Sequence, residues 1–285
     1  MGKTPQLILV NRYYDRTRPE YNLFWGSHRN LAMHFGYYEK GIYGHDEAVA
    51  NLNKRLSQLI GISKDDIVLD AGSGLDGSSL WLAKNLGCHV TGVNIVKWQN
   101  DLANHHAAQR NLTNKVKFII ADYANTKLPE ESFTVFWGVE SIGHAESRGA
   151  VIKEAYRLLS PGGKILISDY LLKDEPLSGH EKEIVQVWLD GWAMPHLMTE
   201  NQYKELFIKT GFKDIEVLDW TSQVKPSLER LRRFVRVVRP FKKLLRRLNL
   251  VNDEQISNYE ASRAQMLALD ADIWRYKVVI GVKPR

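Results

Sequence analysis

Asp70-Ala71-Gly72-Ser73-Gly74-Leu75-Asp76-Gly77 follows a short apolar run from Ile67 and precedes a segment carrying Leu80, Leu82 and Ala83. The order reads as strand, tight turn, helix. Glycines at such a turn let the backbone approach a ligand closely, with the positive end of a helix behind it. A Gly-x-Gly turn alone serves dinucleotide enzymes equally well. Two details argue against that use here. The spacing after Gly74 is not Gly-x-Gly-x-x-Gly, and Asp70 precedes the first glycine. A carboxylate there repels a pyrophosphate but suits a ligand carrying an ammonium group. A ligand-free strand-to-helix turn is the plain alternative.

Working outward, strands and helices alternate. Val90 to Val93 reads as a second strand, with residues 97–110 as its helix. Val116 to Ile120 is a third strand, and Phe133 to Trp137 a fourth after the turn at Pro129. A helix over 148–159 is stopped by Pro161-Gly162-Gly163, and Lys164 to Ser168 is a fifth strand. This alternation implies a mostly parallel, seven-stranded Rossmann-like α/β sheet with helices on both faces. Residues 174–225 read as an insertion, then a helix near 202–209 and a strand from Phe212 to Leu218; Arg275 to Val282 closes the sheet as a hairpin edge. Leu52, Leu56, Leu59 and Ile60 at helical spacing predict a helix before the first strand.

Ligands collect at the carboxyl ends of parallel strands. Asn94 ends the second strand at about the 20-residue distance of a ribose-reading side chain, where an acid is more usual. Ala121-Asp122-Tyr123 ends the third at the same edge, and a carboxylate there suits an adenine amino group. Singly, each residue fits a cap or turn; together they form a constellation.

Bulk properties narrow the class. The chain has 285 residues, 44% hydrophobic and 25% charged, and one cysteine, Cys88. It is long enough for a sizeable core, and it has no disulfide framework, which fits a reducing compartment. The N-terminus lacks a signal peptide's apolar core, and no stretch approaches about 20 apolar residues. A soluble, cytoplasmic protein is expected. No His, Cys or carboxylate group shows metal-ligand spacing, so no metal is expected. The net charge is +6, and residues 230–247 hold nine bases and no acid. The rest of the chain therefore carries 6 − 9 = −3. That local basicity does not imply nucleic-acid binding.

The motifs DAGSG, VTGVN, ADYANTKLPEESF and LLSPGGKILISDY occur in the order found in class I S-adenosylmethionine methyltransferases, which residues 60–172 resemble. WGVESIGHA (137–145) with SDYLL (168–172) resembles the small-molecule group of tocopherol, sterol and sugar O-methyltransferases, as do YYD and FWGSHRNLAMHFGYY near the N-terminus. The resemblance implies S-adenosyl-L-methionine as cofactor. It places Asp70, Gly72 and Gly74 around the methionine portion, Asn94 and Gln99 near the ribose, and Asp122 with Tyr123 at the adenine. Asn94 in place of the commoner acid, and DGSS after Gly74, are departures from the family pattern.

Strand four runs into Glu140 and His144. His144 is the expected base, its ordinary pKa lying near working pH. Glu140 is expected to hold the donor's amino acid part or to steady a developing cation, and Asp169 is a second base candidate. His28, His34 and His45 lie in an aromatic N-terminal segment with Tyr13, Tyr14, Tyr37 and Tyr38. That segment reads as ordinary core or as a lid over a hydrophobic or cationic acceptor. The expected organisation is a lid over 1–60 and a methyltransferase domain over 61–285, with cap insertions at about 174–200 and 222–270. The apolar positions from Leu228 to Leu248 recur at three and four residues among the nine bases, with Pro240 expected to divide two short amphipathic helices. A solvated cap, contact with an anionic membrane and a diphosphate-reading patch all fit that pattern. The function expected is methyl transfer to carbon, oxygen or nitrogen of a small, partly hydrophobic acceptor in secondary metabolism. The alternatives are C-methylation of an isoprenoid diphosphate alkene, with or without cyclisation, and donor binding without turnover. The oligomeric state is left open, a homodimer included.

Overall fold

The structure, a computed structural model, describes residues 4–24, 31–238, 246–247 and 251–285, with the side chains of 19–24 and 238 left aside. Its centre is a seven-stranded sheet in the order β3-β2-β1-β4-β5-β7-β6. The strands are β1 (Ile67–Ala71), β2 (His89–Asn94), β3 (Val116–Ile120), β4 (Phe133–Val139), β5 (Leu159–Leu172), β6 (Lys213–Asp219) and β7 (Trp274–Val282). The first five are parallel, and β7 runs antiparallel to both β5 and β6. Because β1 is flanked by β2 on one side and β4 on the other, the strand order reverses there. Such a switch point leaves a crevice at the carboxyl ends.

Alternate side chains of the strands enter two helical layers, as the two-residue period requires. Val135 and Trp137 of β4, with Val278 and Ile280 of β7, pack against α2 (His45–Ile60), α3 (Gly77–Leu86) and α4 (Lys97–Gln109). Phe133 and Phe136, with Val279, face α5 (Arg148–Leu158) and α7 (Glu200–Thr210). A third cluster joins Phe35, Tyr170, Trp274 and Tyr276 to α6 (Gly179–Gly191), α8 (Thr221–Val238) and α9 (Asp253–Asp270). An N-terminal helix, α1 (Pro5–Phe24), packs on α9.

Leu52, Leu56 and Ile60 of α2 are buried beneath the sheet, as a helix leading into the core requires. One expectation changes. The Pro161-Gly162-Gly163 turn does not delay the fifth strand: β5 begins at Leu159, paired with Phe133, and absorbs the turn through a register shift in β4. The basic segment starts as one long helix that tolerates Pro226 within it, while Pro240 lies outside the described residues. Among the described residues no helix is long and apolar enough to cross a membrane.

Candidate active site

At the carboxyl edge of the sheet an open cleft of about 900 Å³ is bounded by the glycine turn, by Asn94 and Gln99, by Asp122 and Tyr123, and by Leu7, Val10 and Tyr14 of α1. The turn has little room. Gly72 (φ +83°) and Gly74 (φ +56°) lie in the left-handed region; a Cβ on Gly72 would come 2.5 Å from Ser141 Cβ, and one on Gly74 2.8 Å from Met33 Cε. Side chains are excluded there on both conformational and steric grounds. Asp70 is buried, accepts a 2.6 Å bond from Ser79 Oγ, and is pushed up by burial to about 7. Ser73 Oγ is buried without a hydrogen-bond partner.

The irregular Asn94 has a structural account. Its Nδ2 donates to Gln99 Oε1 (2.8 Å) and Gly74 O (3.3 Å), while its Oδ1 accepts from Val96 N (3.1 Å). A carboxylate could make only the last of these, since it has no proton to donate. Asn94 thus ties the glycine turn to the start of α4. Asp122 Oδ1 accepts from Ala124 N (2.8 Å), and Tyr123 OH donates to Ser141 O (2.9 Å), so both hold loop backbone at the cleft wall.

Beyond the cleft lies a second cavity of about 740 Å³, walled by Tyr13, Tyr14, Tyr170, Trp192, Phe234 and Tyr259, with Glu140 and Asp169 as its acids. Its described lining contains no Lys or Arg. Tyr14, Met33, Glu140 and His144 line both cavities and form the junction.

Three of the junction residues, Glu140, His144 and Tyr14, are held by hydrogen bonds. Glu140 follows β4 with φ +48°, a strained conformation for a side chain of that size, and its amide donates to Ser168 O (2.8 Å). Glu140 Oε1 accepts from Phe35 N (2.8 Å) and Tyr276 OH (2.9 Å), and Oε2 accepts from Tyr170 OH. Burial outweighs those three donors and pushes the carboxyl up to about 8. His144 ends a short 3₁₀ turn (Ile142–His144). Its Nδ1 lies 3.4 Å from Ala193 O and its Nε2 3.1 Å from Tyr14 OH. A carbonyl can only accept, so Nδ1 carries the proton and Nε2 accepts from the Tyr14 hydroxyl. Burial pushes the imidazole down to about 4 and Tyr14 well above its usual range. Gln6 Nε2 bridges His144 O and Ala193 O at 3.1 and 2.7 Å, tying α1 to this turn.

Asp169 lies at the chamber but has other commitments. Oδ2 accepts from Gly143 N and Oδ1 from Tyr170 N, each at 2.9 Å. It shores up the turn that carries His144. His34 faces the glycine cleft, near Ser78, and His45 pairs with Tyr38 away from both cavities; neither lines the aromatic chamber. His28 lies outside the described residues. Sequence reasoning missed Met33, Tyr170, Tyr276 and the particular role of Tyr14. Only the general aromatic enrichment hinted at the last, because nothing in local spacing brings residue 14 beside residue 144.

Residues 69–167 match the family described as "Methyltransferase domain". The chain is 26% identical to a chloroplastic tocopherol O-methyltransferase of Arabidopsis thaliana, covering 76% of this chain and 66% of that protein. It is 33% identical to a sterol 24-C-methyltransferase of Neurospora crassa, covering 58% of this chain and 42% of that one. The chain therefore spans under two thirds of both relatives. Among solved structures, a geranyl diphosphate methyltransferase in complex with GPP and sinefungin superposes with a TM-score of 0.77 at 16% identity, covering 98% of this chain and all of that one; at this identity it speaks for the fold alone. With the glycine turn at the switch point of a 3-2-1-4-5-7-6 sheet, residues 69–167 match the methyltransferase domain family, and the chain is similar to S-adenosylmethionine-dependent methyltransferases of small-molecule acceptors.

Proposed function

We propose that the protein transfers a methyl group from S-adenosylmethionine in the glycine-turn cleft to a small, partly hydrophobic acceptor in the aromatic chamber. The observation that carries this reading is the set of four residues common to both cavities, since a direct transfer needs donor and acceptor to meet at one junction. The cleft suits the donor. Asp70 offers a carboxylate for an ammonium group, Gly72 leaves space where a Cβ would meet Ser141, and the buried Ser73 hydroxyl still lacks a partner. Asn94, Gln99, Asp122 and Tyr123 line the rest of the wall.

When bound, the donor supplies a methyl group on a sulfonium with a good leaving group. The chain's own task is alignment and proton handling. Tyr14 and His144 form a pair in which an acceptor's proton moves to the Tyr14 oxygen as the Tyr14 proton moves to His144 Nε2. Asp169 positions the turn beneath His144, and the surrounding rings steady positive charge at the junction, with Glu140 adding to this where a bound cation draws off its proton. The narrower reading, methylation of an isoprenoid diphosphate alkene, shares the aromatic walls but needs cations for the diphosphate; the described lining offers two acids instead. For a lipophilic acceptor, peripheral contact with an anionic membrane is placed at the basic segment 230–247. The lone cysteine, buried Cys88, is consistent with a reducing cytoplasm.

Isothermal titration with S-adenosylmethionine tests the cleft: binding heat is expected, and its absence would overturn the assignment of this chain's cleft. Incubation with labelled donor and a panel of phenols, amines, sterols and isoprenoid diphosphates tests the chamber. Donor binding without label transfer to any class would favour the non-catalytic alternative.

A further inference from the structure

Helix α8 presents three differently employed sides. Leu231 and Phe234 line the aromatic chamber. Arg230 and Arg233 lie towards the N-terminal strap, where their charges act on Tyr38. Arg232, Val235 and Arg236 line a third cavity, about 820 Å³, together with Arg263, Met266, Leu267 and Asp270 of α9. One seam between α8 and α9 thus carries the chamber on its inner side and this groove on its outer side.

The groove combines two chemistries. Its floor is apolar: Val235 and Met266 are buried, and Leu267 is 39% exposed. Its rim holds three guanidinium groups against one carboxylate. Arg232 is engaged by Asp270, its Nη2 lying 2.8 and 2.9 Å from the two oxygens, a contact that also pins α8 to α9. Arg263 has only a 3.9 Å approach to Glu260, and Arg236 has no ion pair among the described residues. A phosphodiester pairs well with two guanidinium forks. A floor of methionine and leucine suits the glycerol and first methylenes beneath such a headgroup, and neither a nucleic acid nor free phosphate would use it.

Resting on the reading of a lipophilic acceptor drawn from a membrane, we propose that this groove binds the headgroup of an anionic phospholipid and seats the outer face of the α8–α9 seam on the bilayer. The same two helices also line the acceptor chamber, through Leu231 and Phe234 of α8 and Asn258, Tyr259 and Ser262 of α9.

Flotation of the full chain with phosphatidylcholine vesicles, with and without phosphatidylglycerol, tests this. Wild type is expected to float only with phosphatidylglycerol. The Arg236→Ala/Arg263→Ala double variant should lose about tenfold or more in partitioning, and Arg230→Ala/Arg233→Ala, which removes the same charge from another side of α8, should stay within about twofold. All four side chains are exposed, and donor binding checks that each variant is folded. Equal losses in the two variants would mean diffuse attraction and would overturn the groove while leaving membrane contact standing. No flotation of wild type would remove the membrane reading itself. Competition by inorganic phosphate at constant ionic strength would identify the groove as a site for free phosphate and so count against a lipid.

Discussion

The proposed donor cleft is walled by backbone and short polar side chains at the carboxyl ends of β1, β2 and β3, whereas the proposed acceptor chamber is walled by large rings from α1, β5, α8 and α9 and from the residue that caps α6. The cleft is pre-formed by the turn after β1, pinned to the end of β2: Gly72 N and Ser73 N both donate to Val93 O, at 2.8 and 3.1 Å. The chamber exists only where separate elements converge, and it borrows its junction residues from the cleft. In such an arrangement the donor end can stay fixed while the acceptor end is varied by exchanging rings. The two regions also differ electrically. Asp70 has one hydrogen-bond donor, whereas Glu140 is surrounded by three, yet burial raises both.

Four measurements can break or sharpen that division. The largest effect is expected at the junction: His144→Ala should lower kcat by about a hundredfold to ten-thousandfold for an acceptor that must lose a proton, while donor affinity stays within about threefold. Normal turnover of this variant with the true acceptor would falsify the pair. Tyr14→Phe should follow the same pattern and alter the pH–rate profile, which a merely structural contact would not. Next, Asp70→Ala should weaken donor binding on the order of a hundredfold by titration calorimetry, the range lost with a hydrogen bond to a charged partner.

The pH dependence is gentler and its sign is set. Asp70 holds its proton up to about pH 7 in the empty protein, far above the ordinary 3.8, and the ammonium needs the ionised form. Donor affinity should therefore fall as pH drops through 7, by about tenfold per unit at most. Stability runs the other way. Asp70, Glu140 and Asp169 (about 7, 8 and 6) keep protons in the folded state that the unfolded chain has already released. His34, His45 and His144, pushed down by burial to about 4, act the other way below their ordinary 6.5. The sign is therefore set only above about pH 7, where Asp70 and Glu140 still hold protons in the folded state and stability of the empty protein should fall as pH rises towards about 8.5. Thermal unfolding at pH 7 and 8.5 checks this, and a higher melting temperature at pH 8.5 would contradict it. The smallest effect is expected at the chamber wall: Phe234→Ala should raise the acceptor KM by about tenfold and leave donor binding unchanged. Loss of donor affinity in that variant would show that the two regions are not separable.

The strands that frame the cleft were readable because parallel strands buried on both faces appear as apolar runs ended by turn residues. Third-strand bounds agree to the residue, Val116 to Ile120, and the closing strand to within one. The fifth strand was read short, since Pro161-Gly162-Gly163 looks like a stop unless the partner strand's register shift is known. Asn94 looked like a weakened ribose contact and is found bracing the glycine turn through hydrogen bonds an acid could not donate. Asp169, a base candidate by sequence, lines the chamber while each of its oxygens also accepts a backbone amide.

From its own sequence this chain declares a glycine turn with an acid before it, a strand-and-helix alternation and a run of bases, because each depends on residues near one another along the chain. Tertiary structure alone decides that Tyr14 meets His144 across 130 positions, that Tyr276 and Phe35 converge on Glu140, and that α8 turns Phe234 inward and Arg236 outward. These are contacts between elements, made where burying apolar faces brings distant segments together, and no local period encodes which segments those will be.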